Sequence, residues 1–172
     1  DGCTHLLMQL EIPLETVLAY ARAARESSIK VVLNAAPARE LPPELLGLID
    51  VLIVNEGELA TLAKHQGSID ECLARIEVPW VVVTLGSEGC RARIDGRLVS
   101  QPAFNITPVD TTGAGDTFCG VLVAALCAGL GIEDALRQAS AGSALACLVP
   151  GAQSSIPAAT DVQAFLRNHS AP

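Results

Sequence analysis

Short apolar runs alternate with stretches of helical period along the first half of the chain. Leu6 to Leu10 is an apolar run that leads to Glu11 and Pro13, and behind it Leu14, Val17, Leu18 and Ala21 recur at helical spacing. This pattern predicts a strand and then a helix. Val31 to Leu33 predicts a second strand that ends at Asn34. A loop with Pro37, Pro42 and Pro43 follows, and Leu45, Leu46 and Ile49 mark a short helix before a third strand, Val51 to Val54. Leu59, Leu62 and Ala63 predict another helix, and a further one ends near Ile76. The run from Trp80 to Leu85 is β-branched without polar alternation, as in parallel strands covered on both faces.

The pattern changes at Asp95-Gly96. Set between Arg91-Ala92-Arg93-Ile94 and Arg97-Leu98-Val99, this dipeptide is a type I′ hairpin signal and predicts an antiparallel edge. Ile106 to Val109 reads as a strand that hands over to a long helix from Gly113. Phe118 to Ala128 is apolar nearly all round, Gly129 and Gly131 interrupt it, and a second helix is expected over Ile132 to Leu148, both of them buried. Thr160, with Asp161 and Gln163 behind it, has the form of a capping box that opens a last helix. No repeat or low-complexity linker divides the chain, so the expectation is a single α/β domain over residues 1–172.

Composition narrows this picture. Half of the 172 residues are hydrophobic and 17% are charged, enough for a real core, while aromatic residues are only 3%, so Ala, Val, Leu and Ile must build it. The net charge of −8, with no cluster of Lys or Arg, argues against a nucleic-acid or anionic-membrane partner. The longest apolar stretch, Val121 to Gly131, is about half of the ~20 residues a membrane-spanning helix needs. Six cysteines are scattered without a CxxC pair, which reads as reduced, buried thiols of a cytoplasmic protein. His5, His65 and His169 lack partners at metal spacing and read as surface residues. The text opens on Asp1 and almost inside a strand, and is read as part of a longer chain.

Candidate chemistry concentrates in Asp110-Thr-Thr-Gly-Ala-Gly-Asp116-Thr-Phe118. Gly113 and Gly115 permit close backbone approach, and a helix start presents unpaired N–H groups at the positive end of its dipole. That is an anion site, in which the amides of Gly113, Ala114 and Gly115 face charge on a transferring phosphoryl group. The dipole favours a negative charge on Asp116, which stands where it can take a proton from an attacking hydroxyl. The residues alone leave a second reading equally open, a first-turn acid behind a tight connection.

Asp110 to Phe118 resembles the C-terminal signature of the ribokinase-like (PfkB) carbohydrate kinases. Leu6-Leu-Met-Gln-Leu-Glu11, Leu33-Asn-Ala-Ala-Pro-Ala-Arg-Glu-Leu, Asn55-Glu-Gly-Glu58, Thr84-Leu-Gly-Ser-Glu-Gly89 and Gly151-Ala-Gln-Ser-Ser155 resemble segments of that family in the same order. The resemblance implies a three-layer α/β sandwich around a mostly parallel sheet. It implies Asp116 as catalytic base, beside an anion hole of Gly113, Ala114 and Gly115. It places ATP against Asn55, Thr84, Leu85, Gly86, Ser87, Glu88, Gly89, Gly115 and Ser140, with Glu58 organising Mg²⁺. Glu11, together with Asp116, contacts the sugar. Asp110, Thr112 and Ser155, with carbonyls near Ala146, Val149 and Gly151, form a monovalent-cation site. One carboxylate among neutral oxygens suits K⁺ better than a small divalent ion. Val121 is bulkier than the small residue usual at its place in the signature, which bears on helix packing and not on the chemistry.

By the same resemblance the complete enzyme is a homodimer that transfers phosphate from ATP to the primary hydroxyl of ribose. The family's opening segment, which carries an early Gly-Gly motif, most sugar contacts and a lid, has no counterpart in these 172 residues. The chain by itself is therefore expected to be inactive and to expose a sheet edge. Two other readings stay open, an inactive nucleotide-binding fragment and a kinase of another sugar or a nucleoside.

Overall fold

The structure, a computed structural model, describes residues 2–169. The chain forms two compact units. One takes in the described residues up to Leu85 and Arg91–Ser100, the other Gly86–Cys90 and the described residues from Gln101 onward.

The first unit is built on a six-stranded sheet in sequential order. Its strands are β1 (His5–Met8), β2 (Lys30–Asn34), β3 (Val51–Asn55), β4 (Trp80–Thr84), β5 (Cys90–Ile94) and β6 (Arg97–Gln101). β1 to β4 pair in parallel, with Met8 beside Leu33, Asn34 beside Ile53 and Asn55 beside Thr84. Asp95 and Gly96 both take positive φ, 48° and 87°, the backbone a type I′ turn demands, so β5 and β6 form the expected hairpin. Helices α1 (Leu14–Glu26), α2 (Pro43–Leu46), α3 (Glu56–Ala63) and α4 (Ile69–Ala74) connect the parallel strands. Val31, Leu33, Leu52, Val54, Val81 and Val83 face one side of the sheet and join Val17, Ala21, Leu45, Leu59 and Leu73 of these helices in one core. Val32, Ile53 and Val82, at the alternate positions, are buried too, so these central strands are covered on both faces. β1 ends at Met8, two residues short of the apolar run, because Leu10 turns its amide to Ala36 O at 2.9 Å.

The second unit holds α5 (Ala114–Cys127), α6 (Ile132–Ala146) and α7 (Ala159–Asn168). Three expectations are corrected here. Residues 106–109 form no strand: Pro108 has no N–H to give, Val109 is 65% exposed, and its amide bonds Cys147 O at 2.8 Å instead of a neighbouring strand. α5 is buried along a stripe of Phe118, Cys119, Leu122 and Ala125 and not all round, since the outward positions are the small residues Gly120, Ala124 and Cys127. α7 is capped two residues before Thr160: Ala158 is the cap residue, and its amide donates to Asp161 Oδ2 at 3.3 Å.

Cys72, Cys90 and Cys119 are buried, Cys3 and Cys127 are exposed, and none of the six is joined in a disulfide. No helix among the described residues is long and apolar enough to cross a membrane.

Candidate functional site

The turn before α5 is held by a carboxylate. Asp110 Oδ1 accepts from the Thr112 amide at 2.9 Å and the Thr112 hydroxyl at 2.7 Å, while Oδ2 accepts from the Gly151 amide at 2.9 Å. The Gly151 amide, with the Thr112 hydroxyl and amide, holds the Asp110 carboxyl down to about 2. One side chain thus binds the turn to the loop that follows α6.

Gly113 caps α5 in the left-handed region, at φ 75°, and packs so close to that loop that a Cβ would sit 3.2 Å from Ala152 Cα and O. The Ala114 amide is engaged by Thr111 O at 3.2 Å, and those of Gly113 and Gly115 stand in the first turn of α5, where no preceding helical turn supplies a carbonyl. Asp116, third residue of α5, is exposed beside them. The arrangement can receive an anion on two amides with a carboxylate adjacent.

The residues proposed for a monovalent cation gather around the same loop. Ser155 is buried and donates to Ala152 O at 3.0 Å, which leaves its oxygen lone pairs available, and Ala146 O receives the Val149 amide at 3.3 Å. Among the described residues no three His, Cys, Asp or Glu side chains converge as a metal cluster. A cation here would rest on one carboxylate plus hydroxyl and carbonyl oxygens, a donor set that fits K⁺ and not a small divalent ion. Ser140 is buried in the same unit, its hydroxyl 3.9 Å from the Cys90 thiol, which burial pushes up to about 11. The turn after β4 closes with Gly86–Glu88 as one 3-10 turn and the Gly89 amide on Gly86 O at 3.1 Å.

In the first unit, Asn55 and Glu58 make a reciprocal capping box at the start of α3. Asn55 Oδ1 accepts the Glu58 amide at 2.9 Å, and Glu58 Oε2 accepts the Asn55 amide at 2.8 Å. Glu58 is not the solvated acid that a plain cap would leave: it is 7% exposed, and burial raises its pKa against the opposing pull of the Asn55 amide. Its Oε1 takes no hydrogen bond from the described residues, so one oxygen of a buried carboxylate remains for a cation. That donor suits a divalent ion that keeps most of its waters.

Glu11 lies beyond β1, exposed, on an open groove of about 360 Å³ that Leu6, Leu7, Gln9, Ile12 and Tyr20 also line. Two residues that the sequence did not single out stand on the same level of the sheet. Gln9 Nε2 donates to Asn34 Oδ1 at 3.2 Å, and Asn34 Nδ2 donates to Ile53 O at 3.2 Å. Thr84 Oγ1 donates to Val54 O at 3.4 Å. The available signal was positional: Asn34, Asn55 and Thr84 each end a parallel strand and register puts them on one face, with Gln9 one residue past the end of β1.

Comparison with known proteins adds four findings. The sequence model described as pfkB family carbohydrate kinase matches residues 1–159. The chain is 36% identical over 170 residues to the ribokinase of Haemophilus influenzae, covering 95% of this chain and 56% of that protein. It superposes on the crystal structure of Thermotoga maritima ribokinase with a TM-score of 0.89 at 34% identity, covering 95% of this chain and 57% of that one. Arabidopsis thaliana ribokinase complexed with ribose and ATP gives 0.90 at 32% identity, with 95% and 56% covered. The chain therefore spans about half the length of the relatives it matches.

Proposed function

The chain belongs to the pfkB family of carbohydrate kinases, and from that premise we propose that it carries the nucleotide side and the catalytic base of an ATP-dependent kinase whose acceptor is the primary hydroxyl of ribose. The observation that carries this reading is the turn at the start of α5, where Gly113 caps the helix at φ 75° and the first-turn amides lie beside an exposed Asp116.

Asp116 accepts the proton of the attacking hydroxyl as that oxygen bonds the γ-phosphorus of ATP and ADP leaves. The turn of Gly113, Ala114 and Gly115 stabilises the charge on the transferring phosphoryl oxygens, with the first and third amides as donors. Asn55, Thr84, Leu85, Gly86, Ser87, Glu88, Gly89 and Gly115 line the nucleotide, with Ser140 shaping that side through its buried hydroxyl. Glu11 takes a sugar hydroxyl. Glu58 would hold Mg²⁺, and Asp110, Thr112, Ser155 and the carbonyls of Ala146, Val149 and Gly151 would hold K⁺. When bound, these ions would neutralise phosphate charge; positioning and electrostatics by the chain's own groups supply the rest of the rate. The complete enzyme is read as a cytoplasmic homodimer.

The reading is tested by ADP formation from Mg-ATP against a panel of pentoses, deoxyribose, hexoses and nucleosides. Ribose is expected to be the best acceptor, and turnover should rise when K⁺ replaces Na⁺. A different preferred acceptor would move the substrate, and no acceptor-dependent ADP formation at all would remove the kinase reading.

A further inference from the structure

The first unit carries one polar device that the proposed chemistry does not use. β2 is apolar through Val31, Val32 and Leu33 and then ends on Asn34, an amide set between two other strand ends. Its side chain works in both directions: Oδ1 accepts from Gln9 Nε2 at 3.2 Å, just beyond β1, and Nδ2 donates to Ile53 O at 3.2 Å, in β3. Two residues beyond Gln9 stands Glu11, and two residues beyond Ile53 stands Asn55.

We propose that Asn34 is a positioning residue that ties the carboxyl ends of β1 and β3 together and so holds Glu11 and Asn55 at a fixed separation. Past the strand ends the regular ladder gives way to single main-chain bonds, the Leu10 amide on Ala36 O at 2.9 Å on the β1 side and the Ala35 amide on Ile53 O at 3.0 Å on the β3 side, and the Asn34 side chain adds a bond on each side. A planar amide with one donor and one acceptor in use bridges both neighbours at once, which neither an apolar side chain nor a hydroxyl reproduces at that span. Each bond is modest in net terms, yet both are partly buried, and two together are worth about a tenfold change in a linked equilibrium. The tie stands on this geometry; its consequence for the ligands rests on the reading of Glu11 and Asn55 given above.

Three variants separate the two sides. Asn34→Leu removes both bonds. Asn34→Asp keeps an acceptor for Gln9 but sets a carboxylate against Ile53 O, and Gln9→Met releases the β1 side alone. Hydrogen exchange of the unliganded protein is expected to show about tenfold faster exchange at 9–12 and at 53–56 in Asn34→Leu, at 53–56 only in Asn34→Asp, and at 9–12 only in Gln9→Met. Exchange unchanged at both segments in Asn34→Leu, or raised evenly over the whole sheet, would overturn the tie. Calorimetry with Mg-ADP then tests the consequence. Both Asn34 variants should lose affinity about tenfold while Gln9→Met stays near wild type. Wild-type protein that binds no Mg-ADP would sink the nucleotide reading, with the exchange result still deciding the tie.

Discussion

Val121 of α5 and Gly142 of α6 interlock: a Cβ built on Gly142 would come within 2.8 Å of Val121 Cγ2. The bulk of Val121 is thus accommodated by the bare Cα of Gly142 on the facing helix, and the two helices approach closely. Gly142→Ala gains ~1 kcal/mol of helix propensity but overpacks a stiff β-branched neighbour at ~1–3 kcal/mol. A net loss of about 1 kcal/mol is expected in urea unfolding, and Val121→Ala in the same protein should restore it. Additive effects of the two substitutions would show that the contact carries no coupling.

Asp110 predicts a specific acid response. Its folded-state pKa lies below the ordinary 3.8, at about 2. The stability it contributes is therefore complete above the ordinary value and is lost as pH falls through the folded one. Asp110→Asn keeps at most part of the Thr112 and Gly151 bonding. The stability gap between wild type and this variant should be widest near neutrality and close between the two pKa values. Parallel unfolding curves over pH 2–7 would remove Asp110 as the link between the two loops.

Glu58 predicts the opposite sign. Burial raises its pKa above the ordinary 4.5, so the folded protein favours the protonated form and loses stability as pH rises through that raised value. Glu58→Gln, which can still accept the Asn55 amide, should match or exceed wild-type thermal stability at neutral pH. It should also weaken Mg-nucleotide binding by about 10- to 100-fold, the worth of a charge-assisted contact. A variant that binds as tightly as wild type would reduce Glu58 to its role in the cap.

Asp116→Asn isolates proton transfer. The third position of α5 keeps its shape, so Mg-ATP affinity should stay within about twofold while kcat falls by ~10² to 10⁴. Turnover at the wild-type rate would take Asp116 out of the mechanism.

What the sequence determined by itself was local. The β-branched runs, the Asp95-Gly96 turn and the start of α5 at Gly113 all depend on residues close together in the chain, and each took its expected form. Local preference also misled where a distant partner intervened. Ile106 to Val109 reads as a strand, yet the Val109 amide goes to Cys147, and Thr160 lost the capping place to Ala158. The tertiary structure alone decided the pairings across long intervals. Asp110 meets Gly151 over 41 residues, Gln9 meets Asn34 over 25, and Val121 fits Gly142 on another helix. Such contacts form only after loops close and helices pack, and the partner then depends on which surfaces are left to bury, a property of the whole chain that no window of sequence contains.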